Sequence, residues 1–153
     1  MLLYHFSDGK FKPGEIMPIG NYGKYVSAAP SIVQQFEKLM EISRKKITPK
    51  KPSRLNCIFA FNKEYANGFQ CNRKYQYELE VPDIITTFEL NYNVSTFFWN
   101  LYKANKLNEI KTEIDLMEDY WKNNGTYMTS KFKLIPFDKE FLISQPVKII
   151  RSL

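Results

Sequence analysis

Residues 2 to 7, Leu-Leu-Tyr-His-Phe-Ser, alternate in apolar and polar character and are rich in aromatics, which predicts a strand that stops at Asp8-Gly9. From Pro13-Gly14 to Pro30 the chain is rich in glycine and proline, which predicts a long loop with short extended pieces. Val33, Phe36 and Met40 then recur at helical spacing. Ser31 and Gln34 stand in the capping-box relation at the start of this helix, and Pro49 and Pro52 end it. Residues 55 to 61, LNCIFAF, are apolar on both faces, as a central strand is, and Asn62 is placed to cap a short helix over KEYANGF.

Residues 75 to 81 alternate strictly. Tyr75, Tyr77, Leu79 and Val81 share one face and Gln76, Glu78 and Glu80 the other, predicting a half-buried strand with solvated carboxylates. STFFWNLYKAN and NEIKTEIDLMEDYWKNNG read as helices. In the second, Ile110, Ile114, Met117 and Trp121 share a face and Gly125 is a C-terminal cap. Strands are predicted at 127 to 135, 140 to 143 and 147 to 151. No repeat or low-complexity tract interrupts the pattern. Strands at both ends with helices between give an α+β class of antiparallel character.

A length of 153 residues, 44% of them apolar and 16% aromatic, predicts one domain, 1–153, with a packed core. The net charge of +6 suits an anionic partner, a dinucleotide or a nucleic acid. Six cations fall between residues 44 and 54: Arg44, Lys45, Lys46, Lys50, Lys51 and Arg54. They read either as a solvated helix C-terminus or as a phosphate-contacting patch. No stretch has the length of a membrane helix and no signal peptide is read, so the expectation is a cytoplasmic protein. Cys57 and Cys71 form no disulfide framework, and Cys57 lies in an apolar strand as a core residue would.

One histidine and two distant cysteines do not make a zinc site, so no metal is expected. No phosphate-cradling glycine loop and no Gly-x-Ser-x-Gly elbow is present. The single histidine, His5, reads by itself as a structural residue of the first strand.

Three stretches change that reading when taken in order: YHFS at 4 to 7, PSRLNCIFAFNKEYANGF at 52 to 69, and DKEFLISQPVKII at 138 to 150. Together they resemble the ADP-ribosyltransferase superfamily. YHFS looks like the first-strand motif of the DNA-modifying toxin branch and of polymerase-type members. IFAF with NKEYANGF is similar to the second-strand aromatic motif and its following helix. DKEFLISQP looks like the catalytic-glutamate strand. The order of Arg54, the Tyr120-Trp121 pair and the last two strands is closer still to an uncharacterised bacterial and phage family of this fold.

The resemblance implies an ADP-ribosyltransferase-like split mixed/antiparallel sheet with flanking helices, binding NAD as co-substrate in the cleft between its halves. It implies Glu140 and Arg54 as catalytic residues. His5 would bond the adenosine ribose, Ser7 would hold the nicotinamide ribose, and the backbone of Phe6 would meet the nicotinamide amide. Phe69, or else Phe59, would stack on the nicotinamide ring, and Arg54 would contact the pyrophosphate. The chain departs from the pattern in two places. The usual second-strand tyrosine is missing, with Ile58, Phe59 or Phe61 in its neighbourhood, of which Phe59 can stack but cannot donate a hydroxyl bond, and Asp138 replaces the glutamate or glutamine that engages the acceptor.

The function implied is transfer of ADP-ribose to a macromolecule, expected to be nucleic acid, by a bacterial or phage toxin or defence effector, with an antitoxin protein as a further partner. NAD glycohydrolysis and a non-catalytic nucleic-acid-binding domain of the same fold are the alternatives.

Overall fold

Among the described residues, seven strands form one sheet in the order β2-β7-β4-β1-β3-β6-β5, and every neighbouring pair is antiparallel. The computed structural model describes residues 1–68, 72–82, 87–105, 118, 120–122 and 139–153. The strands are β1 (Leu2–Ser7), β2 (Ile16–Met17), β3 (Ile58–Phe61), β4 (Tyr75–Glu80), β5 (Thr87–Asn91), β6 (Lys139–Ile143) and β7 (Val147–Ser152). The helices are α1 (Asn21–Ala28), α2 (Ser31–Ile47), α3 (Lys63–Gly68) and α4 (Tyr92–Lys103), with a 3-10 turn at Arg54–Asn56. The α+β class is as expected. No parallel pair occurs among the described strands, so the mixed component of the expected sheet is absent there.

The period-2 alternation of the strands divides the core between the two sheet faces. One face carries Leu3, Ile58, Ala60, Tyr77, Leu79, Phe141 and Ile143, closed by Met17 of β2 and by Phe11. The other buries Cys57, Leu90 and Leu142 under Phe36 and Met40 of α2, Val94 of α4, and the Tyr120-Trp121 pair. Each large apolar side chain so buried contributes about 1.5–3 kcal/mol relative to exposure. Trp121 also donates its indole N–H to the carbonyl of Met40 at 2.9 Å, which fixes the 120–122 segment on α2.

Four local expectations change. Ser31 is the first residue of α2, not its cap. Pro30 precedes it without a side-chain capping bond, and Gln34 turns back to the carbonyls of Ser27 and Ala29. The 13–30 stretch contains β2 and the helix α1, held by tertiary contacts: Val26 is buried, and the Tyr22 hydroxyl donates to Glu37 on α2. A Cβ on Gly23 would lie 2.6 Å from the Leu55 carbonyl oxygen, so only glycine lets α1 approach the 3-10 turn. Strand β5 was not anticipated. Glu78 is buried, not solvated: its neighbours across the sheet are Tyr4 and Arg151, which donate to its carboxylate at 3.0 and 2.9 Å. Arg151 holds the Glu78 carboxyl below its ordinary pKa.

Other expectations hold. The Asn62 side chain caps α3 by accepting from the Tyr65 N–H at 2.8 Å, and β4, β6 and β7 lie where the alternation puts them. Phe69, Cys71, Asp138, most of the 108–125 helix and the 127–135 strand lie outside the described residues.

Candidate functional site

Strand β1 pairs with β4 along its whole length but meets β3 at one registered pair, Tyr4 with Phe61. Beyond that pair the two strands part. The Phe59 carbonyl, which a longer ladder would have satisfied, lies 2.7 Å from Nδ1 of His5. A carbonyl only accepts, so Nδ1 carries the proton. Burial lowers the pKa of His5, with the charge of Arg73 acting the same way against the opposing effect of the Phe59 bond. The ring is therefore neutral at pH 7, and Nε2 is left as an acceptor. A single imidazole thus closes the gap in the sheet and supplies an acceptor beside it.

The gap opens into a cavity of about 680 Å³. Its walls include His5, Phe6 and Ser7 from β1, Phe59 from β3, Arg54 from the 3-10 turn and Glu140 from β6. Every site residue named from the sequence that lies among the described residues therefore faces one cavity. Aromatic rings dominate its apolar wall: Phe11, Phe61, Tyr22, Tyr25 and Tyr92 join those of β1 and β3.

Behind the wall is a buried ionic network. Arg54 donates through Nε and Nη2 to the two carboxylate oxygens of Glu37, at 3.2 and 3.3 Å. Its Nη1 donates to the Tyr120 hydroxyl and, at 3.4 Å, to Oε2 of Glu140. Tyr120 in turn donates to that same Oε2 at 2.8 Å. The Tyr22 hydroxyl donates to Glu37 at 2.7 Å. The guanidinium lies 4.9 Å from the centroid of Phe59 and 5.2 Å from that of Tyr120, within cation–π range.

Burial opposes the charge on Arg54. Its acidic neighbours, Glu37 foremost, more than offset that, and its pKa lies well above the ordinary value. Glu140 is shifted upward, chiefly by burial, against the opposing pull of Arg54 and Tyr120. Two carboxylates, Glu37 and Glu140, thus share one guanidinium in this network beside the cavity. Such a wall favours a positive charge developing on a bound molecule.

Arg54 is 7% exposed and its hydrogen bonds are spent on Glu37, Tyr120 and Glu140. This assigns it to holding Glu140, whereas the resemblance also placed it on a pyrophosphate. Phe59 is in the wall with one face taken by Arg54. Cys57 is buried, and burial pushes its thiol up to about 12, which suits a core residue and not a nucleophile.

The basic run is not a free patch. Arg44 pairs with Glu41 and bonds the carbonyls of Pro49 and Lys51. Lys46 pairs with Glu118 at 2.9 Å, and Lys51 donates to the Trp121 carbonyl at 2.6 Å. With Arg54 buried, Lys45 and Lys50 are the exposed cations that remain without such a structural assignment. These bonds tie the end of α2 and the residues after it to Glu118 and Trp121, on either side of Tyr120.

Three residues of the network escaped sequence reasoning. Glu37 had a signal: with Val33, Phe36 and Met40 it completes the i, i+3, i+4, i+7 stripe, so a carboxylate sits on the apolar face of α2. Tyr22 lay in a stretch read as loop. Tyr120 enters the sequence pattern only as half of the Tyr120-Trp121 pair. No helix among the described residues is long and apolar enough to cross a membrane. No family model matches the chain, and no curated protein matches it.

Proposed function

We propose that this chain is an NAD-dependent ADP-ribosyltransferase. The observation that carries the reading is the placement of Glu140. This carboxylate is 2% exposed, bonded by Tyr120 and Arg54, and set in the wall of the cavity that His5, Phe6, Ser7 and Phe59 also line. Cleavage of the nicotinamide–ribose bond sends its electron pair to the departing nicotinamide and leaves a cationic, oxocarbenium-like ribose. A carboxylate anchored beforehand, in a site where two carboxylates share one guanidinium, stabilises that cation without reorganising. The acceptor then bonds the anomeric carbon and releases a proton, which Glu140, with its raised pKa, is suited to receive.

The neutral His5 ring fits the ribose role, since Nε2 accepts from a hydroxyl while Nδ1 holds Phe59. Arg54 and Tyr120 orient Glu140, and Glu37 orients Arg54. The acceptor is a nucleic acid in this reading. The cation and tyrosine that suit it lie at Lys74 and Tyr75 more than in the 44–54 run, whose cations are mostly engaged internally. Action in the cytoplasm as a bacterial or phage toxin or defence effector, restrained by an antitoxin, rests on the resemblance alone.

The test is incubation of the protein with NAD labelled in the adenylate, alongside separated nucleic-acid and protein fractions of a lysate. Label on nucleic acid is the expected result. Label on protein overturns the acceptor, free ADP-ribose alone makes the chain a glycohydrolase, and no consumption of NAD leaves a non-catalytic binding domain.

A further inference from the structure

The cavity is lined by two arginines, and they differ in what they can do. Arg54 is buried and committed. Arg73 is 42% exposed in its side chain, stands just before β4, and faces the cavity with Asp8 and Tyr25. Its Nη1 donates to Oδ2 of Asp8 in the turn after β1, and its guanidinium lies 5.4 Å from the centroid of Tyr25 on α1. One guanidinium thus joins three segments of the cavity rim.

The turn that carries Asp8 is itself fixed. The Gly9 N–H donates to Ser7 Oγ at 3.0 Å, and the Tyr77 hydroxyl donates to the Gly9 carbonyl while accepting from the Phe11 N–H. Asp8 also accepts from the Lys74 N–H at 3.3 Å. Its carboxylate therefore has a backbone partner of its own when Arg73 leaves. The Asp8–Arg73 pair is solvent-exposed on both sides, and such pairs are weak and exchange readily.

We propose that Arg73 is the diphosphate-binding residue of the cavity, and that Asp8 occupies it in competition when no dinucleotide is bound. This rests on the NAD reading and deepens it. A guanidinium grips two phosphate oxygens through a planar pair of N–H groups, which one carboxylate oxygen of Asp8 does not fully use. The position is consistent with that use: the charge of Arg73 is felt at His5, the residue assigned to a ribose, and a diphosphate joins the two riboses of a dinucleotide.

Titration calorimetry of ADP-ribose, ADP and adenosine into wild type, Arg73→Gln and Asp8→Asn tests this, with melting curves as a control. Arg73→Gln is expected to weaken ADP-ribose and ADP by roughly ten- to a hundredfold, the scale of a lost charged hydrogen bond, and to leave adenosine unchanged. Asp8→Asn is expected to tighten ADP by roughly two- to fivefold, since it removes a weak competing pair. In the double variant the gain should vanish. If both single variants weaken ADP alike, the pair is only a structural clasp and the proposal is overturned. If wild type binds ADP-ribose and Arg73→Gln binds it as well, the proposal falls while the NAD reading stands. Failure of wild type to bind ADP-ribose or NAD overturns both.

Discussion

Arg54→Gln isolates the energetics of the buried network. Arg54 is the one cation among Glu37, Tyr22, Tyr120 and Glu140, and its removal leaves two carboxylates, each 2% exposed, in one pocket. Removing one partner of a buried ion pair costs about 3–5 kcal/mol, because the charge left behind is uncompensated. For a chain of this size that lowers Tm by roughly 6–20 °C at pH 7. The deficit should depend on pH. Burial already raises the pKa of Glu140 while Arg54 holds it down, so without Arg54 Glu140 takes up a proton more readily. The folded variant then binds a proton that the unfolded chain, with ordinary carboxyl pKa values, does not. Stability consequently falls as pH rises, at up to about 1.4 kcal/mol per pH unit. Melting curves at pH 5 and pH 7 should show the deficit relative to wild type shrinking by roughly 1–3 kcal/mol at the lower pH. Adding Glu37→Gln should recover part of the loss at pH 7. A variant as stable as wild type, or one with the same deficit at both pH values, would refute the coupled network.

Other perturbations reach the remaining parts of the fold and site. His5→Ala leaves the Phe59 carbonyl without its partner, so it should cost about 1–3 kcal/mol in urea denaturation and also weaken NAD binding. Because burial holds the His5 pKa below that of the unfolded chain, wild type should lose stability as pH falls below about 6.5, and this component should be missing from the variant. A variant that loses affinity at wild-type stability would mean that the Phe59 bond contributes nothing. Gly23→Ala places a Cβ 2.6 Å from the Leu55 carbonyl and should cost about 1–3 kcal/mol as α1 is displaced; an unchanged Tm would show that the helix moves freely.

What could be read from the sequence follows from where its determinants lie. The α2 stripe, the alternation in β4 and the Asn62 cap are local patterns, and they stand in the structure. Helix α1 is different: it is preceded by Gly20 in a left-handed conformation and contains Gly23, a poor helix signal, and it is held by the bond from Tyr22 to Glu37 on α2 and by the burial of Val26. Glu78 was misread because alternation reports which face a residue is on and not what covers that face, here Tyr4 and Arg151. The site shows the same division. Motif order pointed to His5, Arg54, Phe59 and Glu140, which now line one cavity, but the reason Glu140 is held there, Arg54 between two carboxylates, depends on residues 86 and 17 positions from Arg54.

The central claim is that Glu140 stabilises charge on the ribose of bound NAD. Its most direct test measures NAD binding by calorimetry and nicotinamide release by chromatography on wild type and Glu140→Gln, with melting curves of both. Wild type should release nicotinamide, while the variant should fold, bind NAD with similar affinity and release nicotinamide roughly a hundredfold or more slowly, as when a transition-state electrostatic contact is removed. A folded variant that releases nicotinamide at the wild-type rate, or a wild type that neither binds nor cleaves NAD, would contradict that claim.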